Sequence, residues 1–189
     1  FFKHFSEDIP DCWIDALAKR RVIHDVDFRI STKGKFEGSL VIPHWYFDKL
    51  IGWDYWTKDG KYITAEQSNP NMIFVPDRYI PKTVFLVEGM FDALCFPNTV
   101  AVKRSKVSAK QAYHLRNSRV IVIPDRSKSD LYESAKHFNW EVSIPMWKEK
   151  DVNEAVINKG LLVASRMIYD GTMIPSKKTD VYYKRWISL

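Results

Sequence analysis

Downstream of Pro81 the chain alternates short apolar runs with stretches of helical pattern, and nothing else in the sequence restricts the fold as strongly. Val84-Phe85-Leu86-Val87 contains no polar residue, as expected of a strand covered on both faces rather than wetted on one. A short helical stretch to Cys95 stops before Pro97, and Thr99-Val100-Ala101-Val102 reads as a second strand. Ser108 opens a helix to about Arg116, and Val120-Ile121-Val122-Ile123 is a third strand. A helix from about Asp130 to His137 leads to Glu141-Val142-Ser143-Ile144, a fourth strand, and one longer helix runs from about Asn153 to Ile168. Strands that alternate with helices predict an α/β fold with a parallel sheet flanked by helices.

The residues before about 80 read differently. Asp11 is placed to start a helix through Arg21, with Trp13 and Leu17 on its apolar stripe. Val26 to Ile30 alternates at period two, Lys33-Gly34-Lys35 turns the chain, and Leu40-Val41-Ile42 returns as a strand stopped by Pro43. Leu50-Ile51-Gly52-Trp53 and Tyr62-Ile63-Thr64 flank the turn Lys58-Asp59-Gly60-Lys61. This half predicts a small α+β subdomain with antiparallel strands. The division is 1–80, 81–168 and a C-terminal tail, 169–189, marked by Gly171 and Pro175.

A chain of 189 residues with 46% apolar content can bury a real core. Seven glycines and nine prolines exclude a collagen-like chain. No stretch approaches the roughly 20 apolar residues of a bilayer span, and no signal segment opens the chain. Cys12 and Cys95 are too few for a disulfide scaffold or a four-thiolate zinc site, which reads as a cytoplasmic protein of a reducing compartment. The start at Phe1 rather than Met reads as a fragment or a trimmed chain. The net charge of +6, from 29 basic and 23 acidic residues, fits a polyanionic partner but equally an ordinary solvated surface. Clusters at Lys19-Arg20-Arg21, at Lys103-Arg104 with Lys106 and Lys110, and near Lys177-Lys178 and Lys184-Arg185 leave the same two readings open: a phosphate-binding track, or favourable helix ends.

In open α/β sheets ligands bind beyond the carboxyl ends of the strands. The residues that follow the apolar runs are Glu88-Gly89-Met90-Phe91-Asp92, Pro124-Asp125-Arg126-Ser127 and, past a basic loop, Lys150-Asp151-Val152-Asn153-Glu154. Singly, each has a structural explanation. Gly89 serves a tight turn, Asp92 favours the first turn of a helix, and Asp130 with Glu133 and Asp151 with Glu154 match capping boxes. Together, in chain order on one sheet edge, Glu88, Asp125 and Asp151 are candidate ligands for Mg²⁺ or Mn²⁺, because hard oxygen donors suit those ions and no sulfur or histidine cluster competes.

The order resembles the Toprim fold of bacterial and phage DNA primases. Val84 to Leu94 is similar to its first motif, a strand ending in Glu-Gly-x-x-Asp, and Val120 to Asp125 to the strand carrying Asp-x-Asp. Lys150 to Glu154 resembles the Lys-Asp-x-Asn-(Asp/Glu) segment of those primases. Leu40 to Pro43, Ile51-Gly52 and Lys61 to Thr64 resemble the region that precedes Toprim in them. The likeness is greatest to the primases of T-even-like bacteriophages and runs from about Ile14 over nearly the whole chain.

The resemblance implies an RNA-polymerase core that synthesises short RNA primers on single-stranded DNA by nucleotidyl transfer, with two divalent ions, Mg²⁺ or Mn²⁺, and no zinc in this chain. It implies catalytic roles for Glu88, Asp92, Asp125 and Asp151, and nucleotide or DNA binding by Lys61, Lys103 and Arg104. Residues 1–80 would help bind template and nucleotide, and 81–168 would be the catalytic Toprim domain. Ribonucleoside triphosphates, a replicative helicase and a zinc-binding domain missing from this chain are the implied partners, no membrane is, and the site of action would be the host cytoplasm for a phage protein. No Gly-x-x-x-x-Gly-Lys-(Ser/Thr) motif is present, so no fused helicase motor is expected.

Three departures weaken the match. Ser127 stands where the second acid of Asp-x-Asp belongs, Lys103-Arg104-Ser105-Lys106 replaces a small-residue turn, and Trp53-Asp54-Tyr55-Trp56 lacks a common arginine. They keep two alternatives in view: a non-catalytic nucleic-acid-binding or replisome-assembly module, and a Toprim-type nuclease or topoisomerase fragment. The latter needs a further catalytic element, such as a strand-cleaving tyrosine in another domain.

Overall fold

The computed structural model describes residues 2–66, 68–126 and 130–189. The first half is an antiparallel meander in the order β1-β2-β3-β4-β5: β1 (Phe5–Ser6), β2 (Arg29–Ser31), β3 (Leu40–Tyr46), β4 (Lys49–Trp56) and β5 (Tyr62–Thr64). Helix α1 (Asp11–Lys19) packs on it through Trp13, whose ring lies 5.1 Å from that of Trp56 and whose indole N–H donates to the Gly38 carbonyl at 3.1 Å.

Two expectations for this half need correction. Only Arg29–Ser31 of the alternating run joins the sheet. Upstream, Val26 N–H bonds to His24 O and Phe28 N–H to Val26 O, which are tight three-residue turns rather than ladder bonds. Pro43 does not stop β3, which continues to Tyr46 with Pro43 opposite Trp53. β2 pairs only with Leu40 and Val41, so on that side Pro43 has no ladder to interrupt. The β3–β4 hairpin closes through Phe47 and Asp48, both at positive φ (48° and 57°), the geometry of a two-residue primed turn.

The second half comprises β6 (Thr83–Val87), α2 (Met90–Leu94), β7 (Thr99–Ala101), α3 (Ala109–His114), β8 (Arg119–Val122), α4 (Asp130–Phe138), β9 (Glu141–Ser143), α5 (Val152–Lys159), α6 (Leu161–Asp170), β10 (Thr172–Met173) and α7 (Lys177–Ile187). Its sheet has the order β10-β9-β8-β6-β7, with four parallel strands and β10 antiparallel at one edge. Val84, Phe85, Leu86 and Val87 are all buried, as their unbroken apolar pattern requires. The other edge is covered: Phe74 exchanges two backbone hydrogen bonds with Ala101 and blocks further pairing. Ile73, Phe74 and Val75 are buried there, in one core that the two sheets share.

The expected single helix from Asn153 to Ile168 is two helices. Gly160, at φ 82°, breaks it between α5 and α6, a conformation costly for any residue with a Cβ. The segment after 168 contributes β10 and α7, and α7 buries Tyr183 and Trp186 in the shared core. Among the described residues no helix is long and apolar enough to cross a membrane.

Candidate active site at the carboxyl edge of the parallel sheet

β6 connects through α2 to β7 on one side, whereas β8 connects through α4 to β9 on the other. The carboxyl ends of β6 and β8 therefore flank the point where the winding reverses, the place where α/β sheets leave a crevice. Glu88 follows β6 and Asp125 follows β8 at this point.

Glu88-Gly89 leads directly into α2, and the glycine is required by space rather than by backbone angle. Gly89 has an ordinary φ of −91°, but a Cβ there would stand 2.5 Å from Asp92 Oδ2. Asp92, one turn into α2, folds its carboxylate back over the Gly89 backbone and is buried, with 6% exposure. Its Oδ1 accepts the Asn153 backbone N–H at 2.7 Å, in the first turn of α5, where unpaired N–H groups and the helix dipole favour an anion. Burial, and then the charges of Asp151 and Asp125, push the Asp92 carboxyl well above the usual carboxylate range, against the favourable Asn153 bond.

Asp151 caps α5. Its Oδ1 accepts the Glu154 N–H at 2.8 Å, and its Oδ2 lies 3.3 Å from Lys150 Nζ. The Asn153 side chain faces the first half of the protein: Nδ2 donates to the Arg20 carbonyl at 2.7 Å, and Arg20 Nη1 donates to Asn153 Oδ1 at 3.1 Å. The Arg20 guanidinium lies over Phe91 and Trp56, 5.3 and 5.9 Å from the ring centroids. α1, α2 and α5 are thus tied together around Asp92.

Lys103 enters from the end of β7, at φ 59°, with its N–H on the Glu88 carbonyl at 3.0 Å. Its ammonium lies 2.9 and 2.7 Å from the two carboxylate oxygens of Asp54 on β4, and His44 Nε2 lies 3.2 Å from the same carboxylate. Burial acts to raise the pKa of Asp54, but hydrogen bonds and charge from His44 and Lys103 outweigh it and hold the group at about 2. Burial lowers both His44 and Lys103 from their ordinary values.

Of the residues singled out in the sequence, Glu88, Asp92, Asp151 and Lys103 line one cleft of about 380 Å³. Asp125 is not among its lining residues, although its charge reaches Asp92. Arg104 is exposed outside the lining, and Lys61 stands in the β4–β5 turn, 2.5 Å from Asp59. Ser127 lies outside the described residues. Arg20, Asp54, Tyr62 and Asn153 also line the cleft and were not singled out individually. Asn153 and Arg20 carried a signal, one inside the Lys-Asp-x-Asn segment and the other inside a basic cluster. Asp54 lies inside the Trp53-Asp54-Tyr55-Trp56 departure, but nothing in the sequence joins it to Lys103, 49 residues away.

The acidic side chains that line the cleft, Glu88, Asp92 and Asp151, offer carboxylate oxygens, donors that suit a hard divalent cation. Among the described residues no three His, Cys, Asp or Glu side chains form a preformed metal cage.

No known protein family and no curated protein matches the chain by sequence. Solved structures match it in fold. The crystal structure of the primase fragment of the bacteriophage T7 primase-helicase protein superposes with a TM-score of 0.56 at 15% identity, over 83% of this chain and 69% of that one. A chain in the structure of bacteriophage T7 lagging-strand DNA polymerase interacting with primase domains of two gp4 subunits, bound to an RNA/DNA hybrid and dTTP, superposes with a TM-score of 0.55 at 14% identity, over 80% of this chain and 70% of that one. The chain has the mixed α/β fold of a phage primase fragment: an antiparallel sheet followed by a mostly parallel sheet flanked by helices.

Proposed function

We propose that this chain is the RNA-polymerase core of a DNA primase of the Toprim type, joining ribonucleotides on a single-stranded DNA template. The observation that carries the reading is the cleft at the reversal point of the sheet. There Glu88 and Asp92 from one segment and Asp151 from another meet two cations, Lys103 and Arg20. The primase fold of the T7 neighbours supports it, and the T-even-like affiliation rests on the sequence motifs alone.

Glu88 projects from a strand end whose backbone is fixed on both sides by β7 and β8. It is the group proposed to hold a cation and to accept the proton of the attacking 3′-hydroxyl. Asp92 and Asp151 complete an acidic wall. Asp92 is anchored by the Asn153 N–H, and Asp151 is held in orientation by capping α5. A bound magnesium or manganese ion, or a pair of them, supplies charge stabilisation for the attacking and leaving oxygens of phosphoryl transfer. Lys103 and Arg20 place positive charge on the cleft wall, where the triphosphate of an incoming nucleotide is drawn in and oriented. Lys61 and Arg104, outside the lining, are assigned to template phosphates. A replicative helicase and a separate zinc-binding domain are the proposed partners, and the T7 neighbour is itself part of a primase-helicase protein.

Template-dependent incorporation of ribonucleotides with Mg²⁺ or Mn²⁺ tests the reading. Glu88→Gln is expected to lower it at least a hundredfold, the scale of removing one preorganised electrostatic group, while leaving the far-UV dichroism intact. Unchanged incorporation removes Glu88 from the mechanism. A second reading, a non-catalytic nucleic-acid-binding module, is favoured by Ser127 in place of the second acid and by Asp125 lying outside the lining. Binding to single-stranded DNA without incorporation, in a preparation supplied with a zinc-binding domain, would establish it.

A further inference from the structure

From Ala93 to Pro124 the sequence has no Asp or Glu, yet it carries six basic residues: Lys103, Arg104, Lys106, Lys110, Arg116 and Arg119. The run begins in the cleft at Lys103 and continues over an exposed loop into α3. There it meets a second groove of about 370 Å³, lined among others by Asn69, Asn71, Met72, Lys110, Tyr113 and His114. At most about 25 Å of extended chain separates Lys103 from Lys110.

The groove rests on a rigid base. α3 opens with a capping box between Ser108 and Gln111, and the fully buried Gln111 amide donates to Met72 O at 3.3 Å and Val102 O at 3.0 Å. Tyr113 stands on this base with 62% of its surface exposed. One face of its ring is occupied by the Arg116 guanidinium, 3.9 Å from the centroid and held by a hydrogen bond from Arg116 Nη1 to the Tyr113 carbonyl at 2.9 Å. The aromatic surface continues from Tyr113 through His114 and Tyr46 to Phe47, with successive centroids 6.5, 5.3 and 4.7 Å apart. Phe47 is 60% exposed. Lys106 and Arg119 are held by Asp130 and Glu141, and Phe47 is followed by Asp48, but Tyr113 stands on the acid-free stretch beside Lys110 and Arg116, which are exposed. Rings that stack on bases, flanked by cations that take phosphates, are the apparatus of single-strand binding.

We propose that this groove is a second contact for single-stranded nucleic acid, separate from the cleft, in which a base stacks on the open face of Tyr113 while Lys110, on the groove wall, holds a flanking phosphate. The inference rests on the proposed function only for the source of the strand, a template leaving or entering the cleft. The binding itself rests on the groove.

Fluorescence anisotropy of dye-labelled oligonucleotides of about 12 nucleotides, long enough to span both sites, tests it with the whole chain. Tyr113→Ala is expected to weaken binding roughly tenfold, as loss of one base–aromatic stack does, and Tyr113→Phe to retain it. Lys110→Ala is expected to reduce the salt slope by about one phosphate contact. Tyr113 is exposed, so the fold survives its removal, which dichroism checks. Oligo(dT) preferred over oligo(rU) identifies the strand as template, the reverse preference identifies it as product, and both support the groove. Equal affinity and equal salt slope for wild type, Tyr113→Ala and Lys110→Ala on both oligonucleotides overturn it. The two readings have separate tests: joining of nucleotides by Glu88→Gln tests the polymerase, and binding by Tyr113→Ala tests the groove. A wild type that never joins them, but loses binding with Tyr113→Ala, keeps the groove and discards the polymerase.

Discussion

Lys103 and Asp54 belong to different sheets, yet the lysine ammonium lies 2.9 and 2.7 Å from the two oxygens of the aspartate. Asp54 is almost wholly buried, whereas Lys103 keeps 18% of its side chain exposed on the cleft. The pair stitches the antiparallel half to the carboxyl edge of the parallel sheet and fixes a cation in the cleft that Glu88 also lines. The unusual basic turn and the Trp-Asp-Tyr-Trp stretch, two separate oddities in the sequence, are the two halves of this one contact.

Asp54→Asn is expected to destabilise the fold by about 2–4 kcal/mol, because removing one member of a buried pair leaves the other uncompensated. The double variant Asp54→Asn/Lys103→Met should recover most of that loss. Urea unfolding midpoints at constant m report both, and an additive double variant would show that the pair is not coupled.

The same cluster sets an acid limb on stability. Asp54 ionises at about 2 in the folded chain, below its ordinary 3.8, so the folded state binds fewer protons than the unfolded one between those values. Its stabilisation, about 2 kcal/mol, is present above pH 4 and lost as the pH falls toward 2. His44, lowered by burial from 6.5, acts with the same sign: stability declines as the pH drops below 6.5, where only the unfolded imidazole takes up a proton. Urea midpoints between pH 7 and pH 2 should show both declines in the wild type. Asp54→Asn should lack the step between pH 4 and pH 2 relative to it.

Gly89→Ala places a methyl group 2.5 Å from Asp92 Oδ2 without demanding any unusual backbone angle. Asp92 is buried and bonded to the Asn153 N–H, so it cannot swing aside cheaply. The expected cost is about 1–3 kcal/mol of overpacking, with nucleotide joining reduced tenfold or more through the displaced carboxylate. In an Asp92→Ala background the same Gly89→Ala change should cost under about 0.5 kcal/mol, since the clashing atom is gone. Equal costs in the two backgrounds would show that space beside Asp92 is not what the glycine provides.

Local pattern located the parallel sheet well and the antiparallel one less so. The strands β6 to β9 lie within a residue of their apolar runs, because a strand buried on both faces writes itself into consecutive residues. The β3–β4 hairpin was hidden because Phe47-Asp48 carries no glycine at positions of positive φ, and because Pro43 normally ends a strand that has neighbours on both sides. Glu88, Asp92 and Asp151 could be singled out because each follows a strand end or opens a helix, where chemistry and chain geometry coincide. Asp54 and His44 could not, since they meet Lys103 across 49 and 59 residues and follow no period.

The C-terminal segment shows the same limit from the other side. Its polar helix α7 reads as a tail, yet Trp186 is fully buried and its indole N–H donates to the Trp147 carbonyl at 2.8 Å. One turn earlier, Tyr183 stacks on Tyr132 with centroids 4.0 Å apart. Trp186→Ala is therefore expected to cost about 3–5 kcal/mol as a large core truncation, visible as a lowered urea midpoint. Trp147 stands four residues before Asp151, so losing its anchor should loosen the approach to the α5 cap. Amide exchange of residues 147–153 should accelerate more than that of β6 and β8, under conditions where the variant is still folded. Uniform acceleration over the whole sheet would mean that α7 supports the core in general and not the Asp151 wall of the cleft in particular.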